Sequence, residues 1–106
     1  MRTLRFLVDG QIIEKDPKCD FSGLVSGTEG YLRAEFSFSN EWDKCHKAAS
    51  FWKFGEENPI ILENNACIIP AAALTYKFFE VSVMGMRKGY TITTNRIRVE
   101  QGGGTK

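Results

Sequence analysis

The sequence predicts an all-β fold, a sandwich or barrel-like arrangement of roughly eight short antiparallel strands with one helical turn. Three observations carry this. Stretches with period-two alternation recur along the chain, separated by Gly, Pro and Asn turn signals. No segment keeps a helical period long enough for a helix of ordinary length. Eight phenylalanines among 106 residues supply large rings for a core.

Each element follows in order. Residues 3–8 (TLRFLV) alternate, with Leu4, Phe6 and Val8 on one face. Asp9-Gly10 is the dipeptide favoured in a type I′ hairpin turn, where both central residues need positive φ. Residues 11–14 (QIIE) form the return strand. Residues 15–30 contain Pro17, Gly23, Gly27 and Gly30 without a period, and read as a long loop with a short strand near residues 21–25. In residues 31–39 (YLRAEFSFS), Leu32, Ala34, Phe36 and Phe38 point one way and Arg33, Glu35, Ser37 and Ser39 the other, as in a half-buried antiparallel strand.

Residues 40–44 make a turn, and 46–54 (HKAASFWKF) resume as an aromatic strand. Glu56, Glu57, Asn58 and Pro59 read as loop, and 60–62 as a short strand. Asn64-Asn65 is a tight turn before a partner strand over 66–69. Pro70 opens AAAL as one helical turn, with proline at its first position. Residues 78–84 place Phe79, Val81 and Val83 inward, and residues 85–89 turn. Strands follow at 90–94 and 96–100, with Ile97 and Val99 inward and Arg96, Arg98 and Glu100 outward. One sandwich domain over residues 1–100 and a flexible glycine-rich tail over 101–106 (QGGGTK) result.

Composition narrows the function classes. Fourteen basic and 13 acidic side chains leave a net charge of +1. A nucleic-acid binder gathers basic excess to neutralise phosphates, so direct nucleic-acid binding is disfavoured. The N-terminus has no apolar run fit for a signal peptide, and no segment approaches the roughly 18 apolar residues of a membrane helix. The expectation is a soluble protein made in the cytoplasm. Three widely spaced cysteines, Cys19, Cys45 and Cys67, read as free thiols.

The segment EFSFSNEWDKCH (residues 35–46) concentrates reactive residue types, so it is the place to test for chemistry. Cys45 and His46 are adjacent, and on a strand they would point to opposite faces, so they cannot pair as nucleophile and base. The cysteines and His46 lack the close paired spacing of zinc ligands. Glu41, Asp43, Glu56 and Glu57 sit in polar loops, where solvated carboxylates are the simpler reading than a glycosidase pair. The segment therefore reads as a sheet corner, with no catalytic residue, no metal and no cofactor.

Binding is the remaining class. Trp42 caps a sandwich core or, exposed beside Tyr31 or Trp52, contacts a partner or a sugar. Arg87, Lys88, Arg96 and Arg98, with Lys77 near, form either a solvated face or a cationic stripe that docks an acidic protein or a nucleic-acid backbone. The candidate partner-binding residues are Trp42, Trp52, Arg87, Lys88, Arg96 and Arg98.

The succession AEFSFSNEWDK, ASFWKF, ACIIPAAAL and FFEVSVMG, followed by a T-I-T-T-N hairpin, resembles small immunoglobulin-like β-sandwich modules of phages and prophages of Gram-positive bacteria. The likeness is to the N-terminal domain of baseplate upper proteins, over roughly residues 30–100. It implies an antiparallel immunoglobulin-like sandwich that binds other proteins in the virion, a tail or baseplate role, and no enzymatic activity. Trp42, Phe36, Phe51, Pro70 and Phe79 then look like framework positions. Baseplate proteins of that kind continue into a receptor-binding region, whereas this chain stops at residue 106. That departure raises the rival expectation: a free-standing phage inhibitor of a host defence system, of the anti-CRISPR type. Its partner is a host protein, and homo-oligomers are compatible with either role. The chain is expected in the host cytoplasm on synthesis, and in the virion if it is a component. A cell-wall carbohydrate-binding module is a third reading, carried by the aromatics alone.

Overall fold

Alternating apolar residues close this chain into two packed sheets. A computed structural model describes residues 1–103. Nine strands are present among them: β1 (Arg2–Asp9), β2 (Ile12–Lys15), β3 (Leu32–Phe38), β4 (His46–Lys53), β5 (Glu56–Ile61), β6 (Ala66–Ile68), β7 (Phe78–Arg87), β8 (Tyr90–Thr93) and β9 (Ile97–Glu100). Two 3-10 turns, Asn40–Trp42 and Ala71–Ala73, complete the secondary structure. One sheet has the order β2-β1-β3-β6. The other has the order β5-β4-β7-β8, and β9 pairs with the opposite end of β7. The fold is an all-β sandwich.

The inward residues of the two sheets form one cluster. Leu4, Phe6 and Val8 of β1 and Leu32, Ala34 and Phe36 of β3 meet Ala49, Phe51, Phe79, Val81, Val83 and Val99 from the second sheet. Phe6 lies opposite Phe36 in register, and their rings stack at 5.2 Å. Burying a phenylalanine contributes about 1.5–3 kcal/mol, so rings at the centre of both sheets dominate the cohesion.

The strand pairs are antiparallel with one exception, since β1 and β3 run parallel. The β1–β2 hairpin reverses the chain, and residues 16–31 then carry it back to enter beside β1 in the same direction. Arg2 ties that crossover down by donating to the carbonyls of Asp20 and Ser22 at 2.8 and 2.6 Å. Alternation is the same in parallel and antiparallel strands, so the sequence did not distinguish them.

Several turns fall one step away from their expected places. The first hairpin loop is Gly10-Gln11, because Asp9 pairs with Ile12. Only Gly10 takes positive φ, at 59°, which is the pattern of a type II′ turn rather than type I′. Glu56–Pro59 is strand, not loop, and the reversal before it is Phe54-Gly55, with φ of 52° and 76°. Pro59 is tolerated because β5 is an edge strand, whose outer N–H groups have no partner to lose. The expected reversal at Asn64-Asn65 is present, with both residues at positive φ.

The segment expected to turn at residues 85–89 stays in β7 as far as Arg87. The expected strand near residues 21–25 reduces to a single bridge from Val25 to Gly102. That bridge also corrects the domain boundary. Gln101 is buried, its amide donating to the carbonyls of Leu74 and Tyr76, and the Gly102 N–H donates to the Leu24 carbonyl. Residues 101 and 102 belong to the sandwich, and the rest of the expected tail, 104–106, lies outside the described residues.

Candidate functional site

Strand pleating sends Trp52 of β4, Phe78, Glu80 and Ser82 of β7, and Arg98 of β9 to the outer face of the second sheet, since their inward neighbours form the core. The Arg96 guanidinium lies over the Trp52 ring, 3.5 Å from its centroid. The Arg98 guanidinium lies over Phe78 at 3.7 Å. Glu80 sits between them, one carboxylate oxygen 3.8 Å from each arginine. The Trp52 indole N–H donates to Ser82 Oγ at 3.0 Å, which fixes the ring on the sheet beneath Arg96. The result is a ladder of two stacked arginines around one carboxylate.

Next to the ladder stands an aromatic knob. Phe54 sits at the tip of the β4–β5 hairpin with a left-handed backbone and is 66% exposed. A bulky residue at positive φ is an outlier, costing about 1–2 kcal/mol. Its ring meets Tyr76 at 4.3 Å, and Tyr76 meets Phe78 edge-on at 5.2 Å. The Lys77 ammonium lies 5.8 Å from the Tyr76 centroid. An exposed ring is thus held in one place by two neighbours.

The six sequence candidates divide. Trp52, Arg96 and Arg98 come together, although Trp52 presents Arg96 and not its own face. Trp42 is wholly buried, so it is removed from the list of partner contacts and belongs to the framework. Arg87 and Lys88 stand at the β7–β8 hairpin, at the opposite end of β7 from Arg98. Arg87 is also occupied: its guanidinium stacks on Tyr90 at 3.6 Å and donates to the Asp43 carbonyl at 3.0 Å and to Cys45 Sγ at 3.3 Å. The basic cluster is therefore not one stripe. Sequence reasoning missed Phe54, Tyr76 and Phe78. The available signal was the Phe-Gly pair between two strands, masked by reading residues 56–59 as loop.

The segment of residues 35–46 is a corner that joins both sheets. The Trp42 indole N–H donates to the Gly10 carbonyl at 2.8 Å, Ser39 Oγ accepts from the Gly10 N–H at 2.9 Å, and the Tyr90 hydroxyl donates to the Glu41 carbonyl at 2.7 Å. The hydroxyl of Ser39 donates to Glu41 and holds its carboxyl below the usual carboxylate range. Cys45 points toward Arg87, while His46 lies on the exposed outer face opposite Met86. Among the described residues, no three His, Cys, Asp or Glu side chains are grouped to share a metal.

On the first sheet's outer face, Arg33 donates to Glu35 at 2.5 Å and Arg5 pairs with its other oxygen. These bonds, chiefly that from Arg33, hold the Glu35 carboxyl low. Burial pushes the Cys67 thiol up to about 12. No described helix is long and apolar enough to cross a membrane. No family model, curated protein or solved structure matches this chain.

Proposed function

We propose that this chain is a non-enzymatic protein-binding module that docks its partner through Phe54, Tyr76, Phe78 and the Arg96–Arg98 ladder. The observation that carries the reading is Phe54, a ring 66% exposed at a hairpin tip and buttressed by two other aromatics. Aromatic and arginine side chains supply most interface hot spots. A ring already held in place loses little rotamer freedom on docking. The all-β sandwich and its sequence likeness to immunoglobulin-like phage modules support a setting in the virion, as an accessory, tail or baseplate component.

The test is quantitative mass spectrometry of particles from the phage that encodes the chain. Presence at fixed stoichiometry is expected. A protein expressed during infection but absent from particles removes the virion role.

The second reading is the phage inhibitor of a host defence protein. It is favoured by Arg96 and Arg98, whose nearest carboxylate is a shared one at 3.8 Å, beyond hydrogen-bond distance, so their N–H groups are open to an acidic target. For either partner, Phe54→Ala and Arg98→Ala should each weaken binding roughly 10- to 100-fold. The arginine effect should shrink at high salt. Full affinity in both variants removes the epitope.

A further inference from the structure

The Asn64-Asn65 hairpin closes one rung and then opens. Glu63 and Ala66 exchange both backbone hydrogen bonds, at 3.0 and 3.1 Å. The next rung of a continuing hairpin would join Ile61 to Ile68, and among the described residues no bridge joins them. The chain splays there, β5 into the second sheet and β6 into the first. The pairing on the far side of each strand shows where these two backbones point. The Leu62 N–H donates to the Lys47 carbonyl, so Ile61 turns its own N–H and carbonyl away from β4. The Ile69 N–H donates to the Leu32 carbonyl, so Ile68 turns its pair away from β3. Both residues border one groove of about 700 Å³, and Ile60 and Cys67 line it on the flank of the core.

We propose that this groove receives an extended segment of a partner protein, inserted as a strand between β5 and β6. The open backbone groups select the occupant. An extended chain carries donors and acceptors along both edges, so it serves Ile61 on one lip and Ile68 on the other. A helix spends those groups within itself. A second copy of this chain gains little edge to edge. Ala66 is already bonded to Glu63 and Cys67 faces β3, which leaves Ile68 as the open position of β6, and on β5 Pro59 has no N–H to offer. The opening suits one strand, because sheets pack about 10 Å apart and paired strands lie about 4.8 Å apart. Side chains of a strand alternate, so the segment sets an apolar residue against Ile60 and Cys67 and turns its polar neighbours to solvent.

The groove lies at the opposite end of β5 from Phe54, so this site does not rest on that epitope. Short random peptides, displayed and selected on the intact chain, supply the probe, and amide exchange followed by NMR supplies the readout. In the free chain the Ile61 and Ile68 amides should exchange as open ones, and a selected peptide should slow both by about tenfold or more. Ile61→Pro and Ile68→Pro each delete a donor at an outward edge position, where proline is tolerated as Pro59 is. Each should keep the thermal midpoint and lower peptide affinity about tenfold. Phe54→Ala should leave peptide binding intact. The proposal is overturned if no selected peptide protects both amides, or if both proline variants bind as the native chain does. Protection that rises with the concentration of the chain alone also overturns it, by seating a second copy in the groove. None of these results bears on particle incorporation or on the Phe54 and Arg98 variants, which judge the other reading separately.

Discussion

Gly85 and the Trp42 ring occupy one space between them. A Cβ built on Gly85 would lie 2.8 Å from Trp42 Cε3, 2.9 Å from Cζ3 and 3.1 Å from Cys45 Cβ. Glycine is required near the end of β7 because the indole takes the side-chain volume. The ring is pinned in turn by its bond to Gly10 and by Phe38, whose centroid is 5.0 Å away.

Gly85→Ala should therefore destabilise the fold by about 1–3 kcal/mol through overpacking. Trp42→Ala should cost about 3–5 kcal/mol. The two sites should be coupled: in a Trp42→Phe background, where the second ring is gone, Gly85→Ala should cost clearly less than in the native chain. Urea unfolding of the four chains measures this, and additive losses would mean that the two residues do not share the space.

Gln101 should behave as a core residue. Gln101→Ala leaves the Tyr76 carbonyl without its donor, while the Leu74 carbonyl keeps the Gly27 N–H, and the lost bond and packing should cost about 1–3 kcal/mol. Gly103→Ala is the control, because a Cβ there meets nothing within 4 Å. Thermal unfolding should separate the two variants, and equal midpoints would return residue 101 to the tail.

Glu35 should give stability a dependence on acid. Its folded pKa is lowered from the ordinary 4.5, first by the bond from Arg33 and also by Arg5. A lowered carboxyl contributes stability that is present above its unfolded pKa and lost as pH falls through the folded one. Glu35→Gln should thus be less stable than the native chain at pH 7, and the gap should close as pH is taken from about 4.5 to below the folded pKa. Arg5 is exposed and Arg33 and Glu35 are only half-buried, so the gap is small and shrinks in salt. Denaturant midpoints against pH follow it, and a gap that stays constant to pH 2 would exclude the ion pairs as its cause.

Cys67 should be the slow thiol. A pKa of about 12 leaves almost no thiolate near neutrality, and the thiolate is the reacting species. Under native conditions at pH 8, alkylation followed by mass spectrometry should find Cys67 unmodified after the other two cysteines begin to react. In urea all three should react. Rapid native modification of Cys67 would mean that the β6 edge opens freely.

What the sequence reveals here is what is local. β1, β3 and β7 alternate because one face of each lies on the core, and Asn64-Asn65 marks its own reversal through two residues that tolerate positive φ. Gly85 was misread because the reason for it is Trp42, far away in sequence. Pro59 and its acidic neighbours imitate a loop, although an edge strand accepts them. Arg87 seemed to belong with Arg96 and Arg98 because they are close in sequence. Strands β8 and β9 pair with opposite ends of β7, which pulls them apart. The stacking of Arg96 on Trp52 and Arg98 on Phe78 joins residues from different strands, and no period in the chain encodes it.

The parallel pairing of β1 with β3 also governs how the molecule assembles. The β1–β2 hairpin can close within microseconds, because only two residues separate its strands. Beyond that, the other flank of β1 must wait for β3 to arrive across a long crossover, with its loop entropy spent before any pairing is gained. The slow step in refolding is therefore expected to be the docking of residues 32–38 against β1. Lengthening the crossover, by glycines inserted between the exposed Glu29 and Gly30, should slow folding far more than the same insertion at the Phe54 hairpin.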